Sequence, residues 1–201
     1  MPRIETKAGL PIIAFASASA WEAWLSKQPR SSKGVWLKLA KKGSLIKSVS
    51  RQEAIDGALC YGWIDGQVQK FDERYWLVRF TPRLARSKWS SVNRLRVQEL
   101  FDQGRMNTAG LGEVERAKLD GRWEAAYPPQ SKAEVPRDLQ LALDGSPKAK
   151  LLFSKLDSTN RYAILYRLHG VRKPETRAAK IAKFVQMLSR GETIYPRKTK
   201  N

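Results

Sequence analysis

The side chains best suited to chemistry fall in two short runs of this 201-residue chain. In the first, Asp56, Tyr61, Trp63 and Asp65 pass from the end of an expected helix into an expected strand. In the second, Arg79, Thr81, Arg83, Ser87, Trp89 and Asn93 leave a strand and lead into a helix. Segments that join regular elements are where binding sites are commonly built, because a rigid scaffold holds them. The composition suits a small anion or a planar ligand. Guanidinium forks grip oxyanions at two points, aromatic rings supply walls, and a helix start supplies free amides. Tyr61, Trp63, Asp65, Arg79, Thr81, Arg83, Ser87, Trp89 and Asn93 are therefore the candidate ligand-binding residues. A structural reading competes with this one. In it the tryptophans are core, and Arg79 pairs with Asp65.

Other chemistries find little footing. His169 is the one histidine and Cys60 the one cysteine, so a His-rich metal site and an intrachain disulfide are both excluded. His169 precedes a helix-stopping Gly170 and is expected to cap the last carbonyls. Cys60 is expected to be a small core residue. Glu53 belongs to a capping box with Ser50, and Asp56 and Asp65 show no pairing that points to acid–base work. No glycine loop long enough to cradle phosphate is present. The expectation is a non-enzymatic protein with no metal and no cofactor, with an enzyme of unknown reaction class kept as the third reading.

The elements that must position these residues can be read from periodicity. Ser17 or Ser19 caps a helix through Trp21, Trp24 and Leu25. Val35, Leu37 and Leu39 alternate as in a strand. Ser50 caps a helix that ends near Gly62. Trp63–Val68 reads as a strand broken by a turn at Asp65-Gly66. Tyr75–Phe80 is a second strand, with Trp76, Val78 and Phe80 on one face. Helices follow over 90–103 and about 111–119. After the Pro-rich stretch at Tyr127, four helical segments run from Pro136 to Leu143, from Pro147 to Leu156, from Ser158 to His169 and from Pro174 to Arg190. The fold class is α+β: a small antiparallel sheet with flanking helices, followed by an all-helical C-terminal part. The divisions are 1–126, a linker at 127–134, a helical region at 135–191 and a basic tail at 192–201.

The formal charge is +19, from 38 Lys and Arg against 19 Asp and Glu. The excess is shared nearly evenly between the two halves of the chain, which argues against a single basic arm. Such a surface draws polyanions at long range. Eight basic residues between Lys70 and Arg96 interleave with Trp76, Phe80 and Trp89, the footprint of a single-strand or RNA binder. Nucleic acid is thus the alternative partner to a small ligand. The apolar stretch from Leu10 to Trp24 is interrupted by Ser17 and Ser19, so neither an export signal nor membrane insertion is expected. The chain reads as cytoplasmic.

Several blocks carry a family resemblance. They are Gly34–Leu37, Glu53–Gly66, Arg79–Arg83 running into Ser87–Ser90 and Asn93, and Glu175–Arg177 with Ile181, Leu188 and Gly191-Glu192. In these the chain resembles the bacteriocin-protection, YdeI/OmpD-associated family. The resemblance implies protection against bacteriocins or cationic peptides and association with a porin, and it implies no catalytic residues. A surface at +19 repels cationic peptides rather than sequestering them. The expected function is a binding or stress-protection protein with a small-ligand or anion pocket in its N-terminal domain.

Overall fold

Val35, Leu37 and Leu39 point to one face of the central strand of a five-stranded sheet, and all three are buried. The computed structural model describes residues 5–196. The chain divides into two compact units, Met1–Glu124 and Ala125–Asn201. In the first unit the strands are β1 (Thr6–Lys7), β2 (Leu10–Ala14), β3 (Val35–Ala40), β4 (Trp63–Lys70) and β5 (Tyr75–Pro82). Their spatial order is β1-β2-β3-β5-β4.

The sheet is mixed rather than antiparallel throughout. β2 runs parallel to β3, with Ile12 opposite Trp36 and Ala14 opposite Lys38. Parallel neighbours need a crossover connection, and α1 (Ala18–Leu25) lies in it. The apolar stretch at Leu10 is therefore a strand followed by a helix. Ser17 makes the break, since its side chain accepts from the amide of Ala20.

One sheet face carries the main core. Val35, Leu37, Leu39, Val78 and Phe80 pack against Trp21 and Leu25 of α1 and Ala54 and Ala58 of α2 (Arg51–Cys60). The Ser50–Glu53 capping box starts α2, with both reciprocal hydrogen bonds made. Gly62, at φ +73°, follows its last turn. Next come α3 (Ser91–Asp102), capped by Ser90, and α4 (Thr108–Leu119), capped by Asn107.

The Asp65-Gly66 pair does not turn the chain. Asp65 lies opposite Phe80 and Val68 opposite Val78, so β4 spends one extra residue on a bulge and continues. The reversal comes after β4, where Asp72 Oδ1 accepts from the amides of Arg74 and Tyr75, both at 2.7 Å.

The second unit is helical among the described residues: α5 (Arg137–Asp144), α6 (Pro147–Ser154), α7 (Ser158–His169) and α8 (Pro174–Ser189). Leu139, Leu143, Phe153, Ile164, Leu168, Ile181 and Leu188 form its core. Of the α8 stripe, Ile181 and Leu188 are buried, Val185 is half-buried and Ala178 is exposed. Buried Asn160 bonds both the amide and the carbonyl of Tyr195, which ties that segment to α7. The expected basic tail begins here, and its residues 197–201 lie outside the described residues.

Candidate functional site

The alternation of β5 builds the site. Trp76, Val78 and Phe80 turn to the main core, which sends Leu77, Arg79 and Thr81 to the opposite face. There Arg79 and Thr81 line an open cavity of about 690 Å³, together with Ser32, Lys33 and Gln67. The β4 bulge sits across from Arg79 and contributes Gly66 and Gln67 to the lining. Gly34, at φ +108°, brings the loop before β3 against β5; a Cβ there would lie 2.4 Å from the Phe80 carbonyl oxygen. That close approach is what carries Ser32 and Lys33 to the cavity edge.

The cavity has a marked polarity. Arg79 Nε is buried and has no hydrogen-bond partner among the described residues. Lys33 is exposed at the rim, and among the described residues no Asp or Glu lines the space. Ser32 Oγ accepts from the Gly34 amide at 3.3 Å, which leaves its own hydrogen to donate. The lining therefore offers two cations, two hydroxyls and an amide, with no acid to answer them. A buried donor without an acceptor costs roughly 1–3 kcal/mol, and an oxyanion in the cavity would relieve that cost.

The other candidate residues are placed elsewhere. Asp65 stands 3.6 Å from Arg51 rather than pairing with Arg79. Arg83 and Trp89 are both buried, with the guanidinium carbon 3.5 Å from the ring centroid and Arg83 Nη1 donating to the Lys88 carbonyl at 3.3 Å. Trp89 also meets Trp123 edge-on at 4.9 Å. Ser87 Oγ accepts from the Leu84 amide, so it closes the turn ahead of α3, while Ser90 takes the cap by accepting from the Asn93 amide. The structure thus brings Arg79 and Thr81 together and draws Arg83 and Trp89 into the interior.

Tyr61 and Trp63 line a second, smaller cleft of about 250 Å³. Its charged centre, Glu113, was not among the expected site residues. Glu113 is 4% exposed and accepts from Arg30 at 3.0 Å and from Arg116. The signal was present in the spacing: Gly110, Glu113 and Ala117 recur at three and four residues, so an acid lies on the buried face of α4. Two arginines neutralise it, and the arrangement locks α4 to the loop before β3.

Asp56 is likewise spoken for. Arg96 of α3 grips both its oxygens, Nε at 2.7 Å, and Gln52 donates at 2.9 Å. Burial alone would raise its pKa, but these hydrogen bonds hold the carboxyl below the usual carboxylate range. Burial pushes the Cys60 thiol up to about 11, which suits a core residue and not a nucleophile. His169 does not cap α7. Its Nε2 lies 3.2 Å from the Ala125 carbonyl, and Arg177 donates to the Leu168 carbonyl at that helix end. Of the aromatics expected to interleave with the basic residues between Lys70 and Arg96, Phe80 and Trp89 are buried, and Trp76 packs on the core but stays half-exposed beside Lys41, Lys42 and Arg51.

Residues 13–113, half of the chain, match the family model described as a domain of unknown function, DUF8412. The chain belongs to that family. Residues 132–191 match a second model, that of bacteriocin-protection, YdeI or OmpD-associated proteins. The resemblance to the YdeI/OmpD-associated family is therefore shown, and the match falls on the helical unit that contains the Glu175–Gly191 block. The blocks from Gly34 to Asn93 lie in the DUF8412 segment, and so do Ser32, Lys33, Gln67, Arg79 and Thr81. No curated protein and no solved structure matches the chain. Among the described residues no helix is long and apolar enough to cross a membrane.

Proposed function

We propose that this chain is a non-enzymatic binding protein of the bacteriocin-protection kind, and that its DUF8412 segment holds a small oxyanion at Arg79. One observation carries the reading: Arg79, whose buried Nε–H has no acceptor among the described residues, lines a cavity that holds a second cation and, among the described residues, no acid. Phosphate, sulfate or a carboxylate supplies the missing acceptor, and Arg79 binds it by charge-assisted hydrogen bonds with Thr81, Ser32 and Lys33 around it. Calorimetric titration of inorganic phosphate into the parent protein and into Arg79→Ala tests the reading. Saturable heat in the parent and none in the variant supports it. Equal heats in both would exclude Arg79 as the ligand's partner.

A further inference from the structure

The second unit contains a cavity that this reading does not use. It measures about 480 Å³, within the range of roughly 300–1,000 Å³ typical of small-molecule sites. We propose that it binds a planar aromatic carboxylate.

Three tyrosines shape the cavity. Tyr127 and Tyr166 meet edge to face, with centroids 4.9 Å apart at 89°, and Tyr162 lies 6.0 Å from Tyr166 at 41°. All three residues are half-buried, and all three line the cavity. Two rings at a right angle form a corner into which a third flat ring fits, stacked on one and edge-on to the other. Tyr162 donates its hydroxyl to the Pro128 carbonyl at 3.0 Å, which ties α7 to the segment that carries Tyr127.

The charges around it select the sign of the ligand. Lys132 and Arg137 line the cavity and are exposed, and among the described residues neither is held in an ion pair. Arg177 lines it too, but its charge is answered by both oxygens of Asp138. A tyrosine cage would otherwise suit a quaternary ammonium. Two unanswered cations repel one and attract a carboxylate. Among the described residues Glu134 is the single acid in the lining, and it disfavours a second negative charge on the ligand.

His169 makes the proposal directly readable. It lines the cavity and is the only histidine in the chain, so its ring protons give a single set of NMR signals in protein prepared without a histidine tag. The probe is indole-3-carboxylate, titrated into the full chain. The expected result is a saturable shift of the His169 signals, weakened about tenfold or more in the Lys132→Ala/Arg137→Ala double variant and unchanged in Arg79→Ala. Neutral indole and tetramethylammonium should each bind at least about tenfold more weakly. Insensitivity to the double variant, stronger binding of tetramethylammonium, or no saturable shift up to about 10 mM would overturn the proposal. A Tyr166→Phe control keeps the ring and the fold and should retain binding, whereas Tyr166→Leu should lose it. Because Arg79→Ala separates the two cavities, failure here leaves the oxyanion reading standing, and the converse also holds.

Discussion

Arg96 holds Asp56 at two points across the gap between α3 and α2, and the acid it holds is 3% exposed. This is the most buried carboxylate in the chain's first unit, and it carries both stability and pH dependence. Removing one partner of such a pair leaves the other charged and poorly solvated. Arg96→Ala should cost about 2–4 kcal/mol in denaturant unfolding, somewhat less than a fully buried pair because Arg96 itself is partly exposed. The folded pKa of Asp56 lies below its unfolded value of about 3.9, so its contribution is complete above that value and is lost as the pH falls through the folded one. Acid unfolding of the parent should therefore show a component below pH 4 that Asp56→Asn lacks. An identical acid profile in that variant would contradict the account.

Arg83 is a second arginine with a structural task. It lies flat on Trp89 inside the protein, so its loss should appear in stability and not in binding. Arg83→Ala is expected to destabilise by about 2–4 kcal/mol, with phosphate binding at Arg79 retained in the folded fraction. Arg83→Ala with parental stability and abolished phosphate binding would put Arg83 back in the site.

Gly110 sits where α4 approaches the end of α2 closely. A Cβ at this position would lie 2.3 Å from the Cys60 carbonyl oxygen and 2.7 Å from that of Leu59. Both neighbours are backbone and cannot swing aside. Gly110→Ala should cost about 2 kcal/mol or more, although alanine is the better helix former. A stabilised Gly110→Ala protein would mean that α4 sits farther from α2 than described.

The sequence carried most of this scaffold and less of the site. The Ser50 cap, a serine cap ahead of Trp21 that spacing left open between Ser17 and Ser19, the facing of Trp76, Val78 and Phe80, and the four C-terminal helices all follow from local rules that tertiary packing reinforces. The parallel pairing of β2 was not legible, because it depends on where a crossover returns the chain and not on any local pattern. Asp65-Gly66 has the composition of a turn, yet sheet pairing on both sides kept the strand going and converted the irregularity into a bulge. The placement of candidate residues was legible where strand alternation alone decides, at Arg79 and Thr81, which line one cavity. It was not legible at Arg83 and Trp89, because an arginine stacked on a tryptophan has the same residue types whether it lines a pocket or fills a core.

The charge of +19 leads to a separate expectation. Polyanions should bind chiefly through charge, since Phe80 and Trp89 are buried and Trp76 keeps only part of its ring surface exposed. Heparin or mixed single-stranded DNA should be retained at low salt and released steeply as salt rises, without quenching of tryptophan fluorescence. Strong quenching on binding a homopolymer would show that base stacking takes place and would revive the nucleic-acid reading.

The central claim is that Arg79 waits for an oxyanion, and the Nε–H signal of that one side chain tests it most directly. The signal can be assigned by its disappearance in Arg79→Lys. On titration with inorganic phosphate at low ionic strength it should shift downfield, saturate and exchange more slowly with water, as a donor does on gaining a charged acceptor. Arg79→Ala should leave the fold within about 1 kcal/mol of the parent and remove the phosphate response elsewhere around the cavity. A parent protein whose Arg79 Nε–H does not move with phosphate, while other arginine signals do, would contradict the account.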